Sequence, residues 1–159
     1  MAAPSGMGSD AVKRTPIERK SATKRRTTLP RCSNRQCHKP AKVQGWCATH
    51  GMREADRLAR ETVLERDVMC VAGLVGDAYR CDGPPQWCHV HSRSYHVIRH
   101  DPRNAVRLCR NHHAYYTHHP LEWEQWCRDR GIPWDELRIE ALHGAASWSL
   151  DETLERLMA

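Results

Sequence analysis

Apolar residues recur at helical spacing from residue 52 onward. In GMREADRLARETVLERDVMC, Met52, Ala55, Leu58, Ala59, Thr62, Val63 and Val68 follow the i, i+3, i+4 rhythm, with charges on the opposite face. The pattern predicts a linking helix over 52–69. The rhythm then breaks in CVAGLVGDAYRCDGPPQ, where Gly73, Gly76, Gly83, Pro84 and Pro85 predict loop. QWCHV has the aromatic and β-branched character of a short strand, and DPRNAVRLC reads as a turn into a second one. RNHHAYYTHH returns to helix and is stopped by Pro120, because the residue before a proline disfavours helical backbone. PLEWEQWCRDRG starts on proline and ends at Gly131, with Leu121, Trp123, Trp126 and Cys127 as its buried face. PWDELRIEAL repeats the proline start, and SLDETLERLM carries a capping box of Ser149 and Glu152. Trp123, Trp126, Trp134 and Trp148 read as packing residues.

Composition narrows the picture. The chain has 159 residues, no Phe and only 40% hydrophobic residues, so its core is thin and calls for a staple. Eight Cys and eleven His supply the material for metal. MAAPSGMGSDAVKRTPIERK lacks the apolar run of an export signal, and no run is long enough to span a bilayer, so no membrane partner is expected. The expected location is a reducing cytoplasm, a host cell's if the chain is phage-encoded, with thiolates rather than disulfides. Charge is uneven: +6 over 1–31, +5 over 32–120 and −5 over 121–159. A basic front suggests a polyanionic partner. Residues 1–30 lack periodicity and read as a disordered basic arm. Its KRRTTLPR, with Lys24, Arg25 and Arg26, either tracks phosphates through counterion release or merely solubilises the chain.

The cysteines fall into spaced sets. CSNRQCHKPAKVQGWCATH has the spacing Cys32-x4-Cys37-x9-Cys47-x2-His50, two turn-borne ligand pairs that can close a tetrahedron around Zn²⁺ over a knuckle of residues 31–51. Gly45 suits the turn before the second pair, and His38 beside Cys37 is left free. A second structural Zn²⁺ is suggested by Cys70, Cys81, Cys109 and His112. Cys109-x2-His112 is a good half-site at a helix start, whereas Cys70-x10-Cys81 is wide and its spacer has to loop out.

With those sets assigned, the remaining residues of 70–120 carry a resemblance. His89 in CHVHSRS, Asn104 in DPRNAVRLC and His113 in CRNHHAYY stand in the order of the HNH endonucleases, and the chain resembles that family over roughly residues 31 to 127. The likeness is closest to the small HNH proteins of bacteriophages, and it takes in the front zinc pattern, ADRLARETVLERD and HPLEWEQW. It implies an α+β fold: a small zinc-stapled domain with a ββα-metal finger over 70–120, flanking helices including 121–159, and the basic arm.

The resemblance also implies DNA as partner and hydrolysis of its phosphodiesters, with a catalytic divalent ion such as Mg²⁺, Mn²⁺ or Zn²⁺. His89 would be the general base, since neutral imidazole takes a proton from water near neutral pH. His113 would ligate the ion, and Asn104 would hold the loop that carries His89. In the family the residue before the base often binds metal. Here it is Cys88, which either ligates a softer ion or is simply buried. The family's further ligand position falls on Thr117, which leaves His118 as the nearest imidazole to curl back. His91, His96 and His100 are expected at the surface or facing phosphate, and Cys127 buried. Arg93, Arg99, Arg103, Arg107 and Arg110 are candidates for DNA backbone contacts, Arg93 and Arg103 foremost. One active site per chain would require a homodimer, or two nicks, for double-strand cleavage. The competing reading is a non-catalytic, zinc-stapled nucleic-acid-binding module, which has no need of a histidine at 89.

Overall fold

The expected linking helix begins and ends earlier than its apolar rhythm suggests. In a computed structural model, which describes residues 30–73, 80–144 and 148–159, helix α1 spans Ala48–Arg66. Cys47, with extended backbone, is its N-cap, so His50 lies in the first turn. The buried face is Gly51, Ala55, Ala59 and Val63, small residues that allow close approach. Val68 lies beyond the helix and is 77% exposed. At the C-terminus, Arg107 donates through Nη1 to the carbonyls of Leu64 and Asp67, satisfying groups the helix leaves open. Arg66 donates to the carbonyls of Pro102 and Ala105, so the end of α1 is stitched to the next layer.

That layer is a two-stranded antiparallel sheet. Strand β1 (Pro85–His89) pairs with β2 (Ala105–Cys109) in a register that sets Cys88 opposite Val106 and His89 opposite Ala105. A 3₁₀ turn at Pro102–Asn104 leads into β2, with Asp101 accepting from the Arg103 amide. Helix α2 (Arg110–His118) follows β2 directly, capped by the Cys109 side chain. Pro120 does not only stop α2: it opens α3 (Pro120–Asp129), where its missing N–H costs nothing. Helix α4 (Trp134–His143) has Pro133 as its N-cap rather than its first helical residue. Helix α5 (Leu150–Met158) keeps the anticipated cap, Ser149 Oγ accepting from the Glu152 amide.

The core forms between the sheet, α2, α3 and α4, from Cys88, Val90, Ile98, Val106, Leu108, Tyr116, Trp123, Cys127 and Leu137 among others. Trp123 fastens α3 to the loop after β1, its Nε1 donating to the Val90 carbonyl. Leu121 departs from the expected buried face: it is 82% exposed, because the inward stripe of α3 runs through Trp123 and Cys127. Ahead of α1, Gln44 and Gly45 have positive φ in the tight turn joining Val43 to Trp46, a conformation Gly45 adopts without strain. Gln44 reaches Glu155 of α5, while Leu150 and Leu154 pack near Gly51 of α1. Among the described residues these elements form a small α+β domain of five α-helices and one sheet. None of the helices is long and apolar enough to cross a membrane.

Candidate functional site

All eight cysteines are free thiols, and six of them gather into two clusters. Cys32, Cys37, Cys47 and His50 form the first, and Cys70, Cys81, Cys109 and His112 the second, each with its ligand atoms within 4.8 Å of one another. A tetrahedral Zn²⁺ bound by sulfur at about 2.3 Å and nitrogen at about 2.0 Å implies S···S edges of about 3.8 Å and S···N edges of about 3.5 Å. In the first cluster Cys37 Sγ and Cys47 Sγ are 3.8 Å apart, and His50 Nδ1 lies 3.4 Å from Cys32 Sγ and 3.3 Å from Cys47 Sγ. In the second, His112 Nδ1 lies 3.4, 3.5 and 3.1 Å from the sulfurs of Cys70, Cys81 and Cys109. Both sets therefore fit a four-coordinate ion such as Zn²⁺.

The two clusters share a construction. Each places a Cys-x2-His pair at a helix start, with Cys47 at the N-cap position of α1 and the Cys109 side chain capping α2. Backbone amides at a helix N-terminus favour thiolate. The His50 amide, foremost among its neighbours, brings Cys47 down to about 6. Burial pushes Cys109 up, but the His112 and Asp82 backbone groups outweigh it and leave it at about 7. The wide Cys70–Cys81 pair closes because Gly73 backs onto the Cys81 thiol, where any Cβ would collide with Sγ. Part of the looped spacer, 74–79, lies outside the described residues. Asn34, which the spacing of ligands does not reveal, sets its amide 3.3 Å from His50 Nε2 and steadies that ring.

A separate cleft of about 540 Å³ brings together His89, at the end of β1, and His113, in α2. His89 Nε2 lies 3.1 Å from the Arg99 carbonyl. A carbonyl only accepts, so Nε2 carries the proton and Nδ1 keeps its lone pair. Burial pushes His89 down to about 4, which keeps the ring neutral at pH 7. His113 Nδ1 lies 2.6 Å from Gln86 Oε1 and therefore donates to it, leaving Nε2 as a free donor of electrons. Burial also lowers His113. Asn104 is fully buried and joins three strands of backbone: Oδ1 accepts from the His91 amide at 2.8 Å, and Nδ2 donates to the carbonyls of Ile98 and His91. It pins both ends of the segment between His89 and Arg99.

Other expected site residues are divided between the cleft wall and the rest of the molecule. Cys88 borders the cleft but is 5% exposed and belongs to the hydrophobic core, and burial pushes its thiol up to about 12. Thr117, one turn on from His113, lines the cleft, whereas His118 is exposed at the end of α2 and does not. His91 and His100, expected at the surface or facing phosphate, are buried: His91 borders the cleft with its Nε2 bonded to the Trp134 carbonyl, and His100 Nε2 bonds Asp56. Arg99 is paired with Asp56, Arg103 with Asp101 and Glu140, and Arg107 with the end of α1. Arg93 lines the cleft with a half-exposed side chain. Lys24, Arg25 and Arg26 lie outside the described residues. Gln86 and Asp56 had no sequence signal beyond being polar residues near a strand and in a helix. Comparison of the chain with protein-family models, with curated proteins and with solved structures found no match.

Proposed function

We propose that the chain is a metal-dependent endonuclease of the HNH type, hydrolysing DNA phosphodiester bonds at the His89–His113 cleft. The observation that carries this reading is the pair of imidazoles with opposite free nitrogens. His89, locked by the Arg99 carbonyl, offers Nδ1 as a base, and His113, locked by Gln86, offers Nε2 as a ligand.

In the proposed step, water attacks phosphorus in line with the departing oxygen. Its proton passes to His89 Nδ1 as the new P–O bond forms and the old one breaks. Asn104 keeps His89 and Arg99 in register through its three backbone contacts. One protein nitrogen at the ion site suits a divalent ion that takes its other ligands from water and the substrate phosphate. When bound, that ion supplies the charge that stabilises phosphate and leaving oxygen. The two Cys₃His clusters hold structural ions and take no part in the chemistry.

Supercoiled-plasmid nicking with Mg²⁺, Mn²⁺, Ni²⁺ or Zn²⁺ tests the reading. His89→Ala is expected to lower the rate by about 10²–10⁴-fold while zinc content and DNA affinity persist. Equal nicking by His89→Ala in every metal would sink it. The burial of Cys88 and the hydroxyl of Thr117 in the cleft favour the second reading, a non-catalytic zinc-stapled DNA-binding module. That module would bind DNA with no turnover in any metal. With one cleft in a chain, double-strand breaks require two chains or successive nicks.

A further inference from the structure

The cleft opens into a second, wider groove of about 730 Å³ between α1 and β1, with which it shares Trp87, Arg93 and His113. The far wall of this groove is α1, which contributes Arg53, Arg57 and Arg60. Residues at i, i+4 and i+7 lie on one helix face. At about 1.5 Å per residue they span about 10 Å, close to the rise of three phosphates at about 3.4 Å each along the duplex axis.

The charges are not equally available. Arg57 is held between Glu54 and Glu61. Asp56, the groove's acid, is engaged by Arg99 and His100. Arg53 and Arg60 are exposed and have no ion-pair partner among the described residues. Arg93 stands at the junction of groove and cleft, 3.9 Å from Asp56. Two free guanidinium groups on a rigid helix, aimed into a groove that ends at His113, match a polyphosphate backbone: the group is always charged and its fork fits two phosphate oxygens.

We propose that this α1 face is a DNA-backbone track, on which Arg53 and Arg60 hold the strand flanking the bond to be cut and Arg93 guides it into the cleft. The proposal rests on the nuclease reading for the identity of the polyanion. It adds residues that neither the resemblance nor the cleft assigns, and it does not depend on catalysis.

Fluorescence anisotropy with a short labelled duplex, in a His89→Ala background that leaves the DNA uncut, tests it over roughly 50–200 mM salt. The Arg53→Gln/Arg60→Gln pair is expected to weaken binding by about tenfold or more. It should also flatten the slope of log affinity against log salt by about 1.8, from two lost phosphate contacts. Arg53→Lys/Arg60→Lys should recover most of the slope, and Arg138→Gln on α4 should leave both quantities unchanged. Affinity and slope equal to the parent's overturn the track, while the nuclease reading stands if the native chain nicks plasmid. A native chain that neither binds duplex nor nicks plasmid removes both.

Discussion

Asp56 shows how much one side chain can organise. Its Oδ1 accepts from Arg99 Nε at 2.8 Å and His100 Nε2 at 2.9 Å, and its Oδ2 from Arg99 Nη2 at 2.7 Å. These contacts fix the segment whose Arg99 carbonyl sets the His89 tautomer. Asp56→Asn keeps the shape but loses the charge and one acceptor. It should lower turnover by about tenfold with KM little changed, and ¹⁵N NMR should show His89 mixing tautomers; an undisturbed Nε2–H signal would deny Asp56 this positioning role. The burial of His100 bears on acid stability, against the pull of the Asp56 contact, which favours the charged ring. Burial depresses His100, so the folded state favours its neutral ring. That contribution is complete above the unfolded value of about 6.5 and is lost as pH falls through the lower folded value. Thermal melts from pH 7 to 5 should show the native chain losing its advantage over His100→Gln as acid is added. None of this was legible in the sequence. An acid on a charged helix face reads as solvated, and its partners lie 43 and 44 positions away. Asn104 was legible because the resemblance named both the residue and its loop-holding task.

At the scale of elements, local signals served best. The Ser149 cap and the turn at Gly45 were readable because each is decided by neighbours a few positions away. Boundaries set by tertiary contacts were not: α1 starts at Ala48, next to the extended Cys47 of the first cluster, and Leu121 faces solvent because α3 is anchored by Trp123. Gly51 lies where α1 meets α5. A Cβ there would meet Leu150 Cδ2 at 3.4 Å and Leu154 Cδ1 at 3.6 Å, ordinary van der Waals distances. Gly51→Ala should therefore gain about 0.5–1 kcal/mol of helix propensity. Gly51→Leu, which overfills the seam with α5, should cost about 1–3 kcal/mol. Denaturant melts of the two variants should move in opposite directions.

Across the whole molecule, the thin core is flanked by two Cys₃His clusters that could each hold a metal ion. Native mass spectrometry should find two Zn²⁺ per chain without added metal, with Cys32→Ser and Cys70→Ser each losing one. A chain that stays folded and metal-free after chelation would contradict the staple. The ligand spacing made both sites legible, but only the three-dimensional path explains how the wide Cys70–Cys81 pair closes, since it depends on Gly73 giving way to a sulfur. The two clusters also differ in how much chain they enclose. Cys32 and His50 are 18 positions apart, Cys70 and His112 are 42. By loop-closure entropy the longer ring is disfavoured by about 0.7 kcal/mol, a three- to fourfold handicap in encounter. If both clusters take up zinc as the chain folds, this bias favours closing the small ring first, which would fix the start of α1 before the larger ring and the hairpin inside it close.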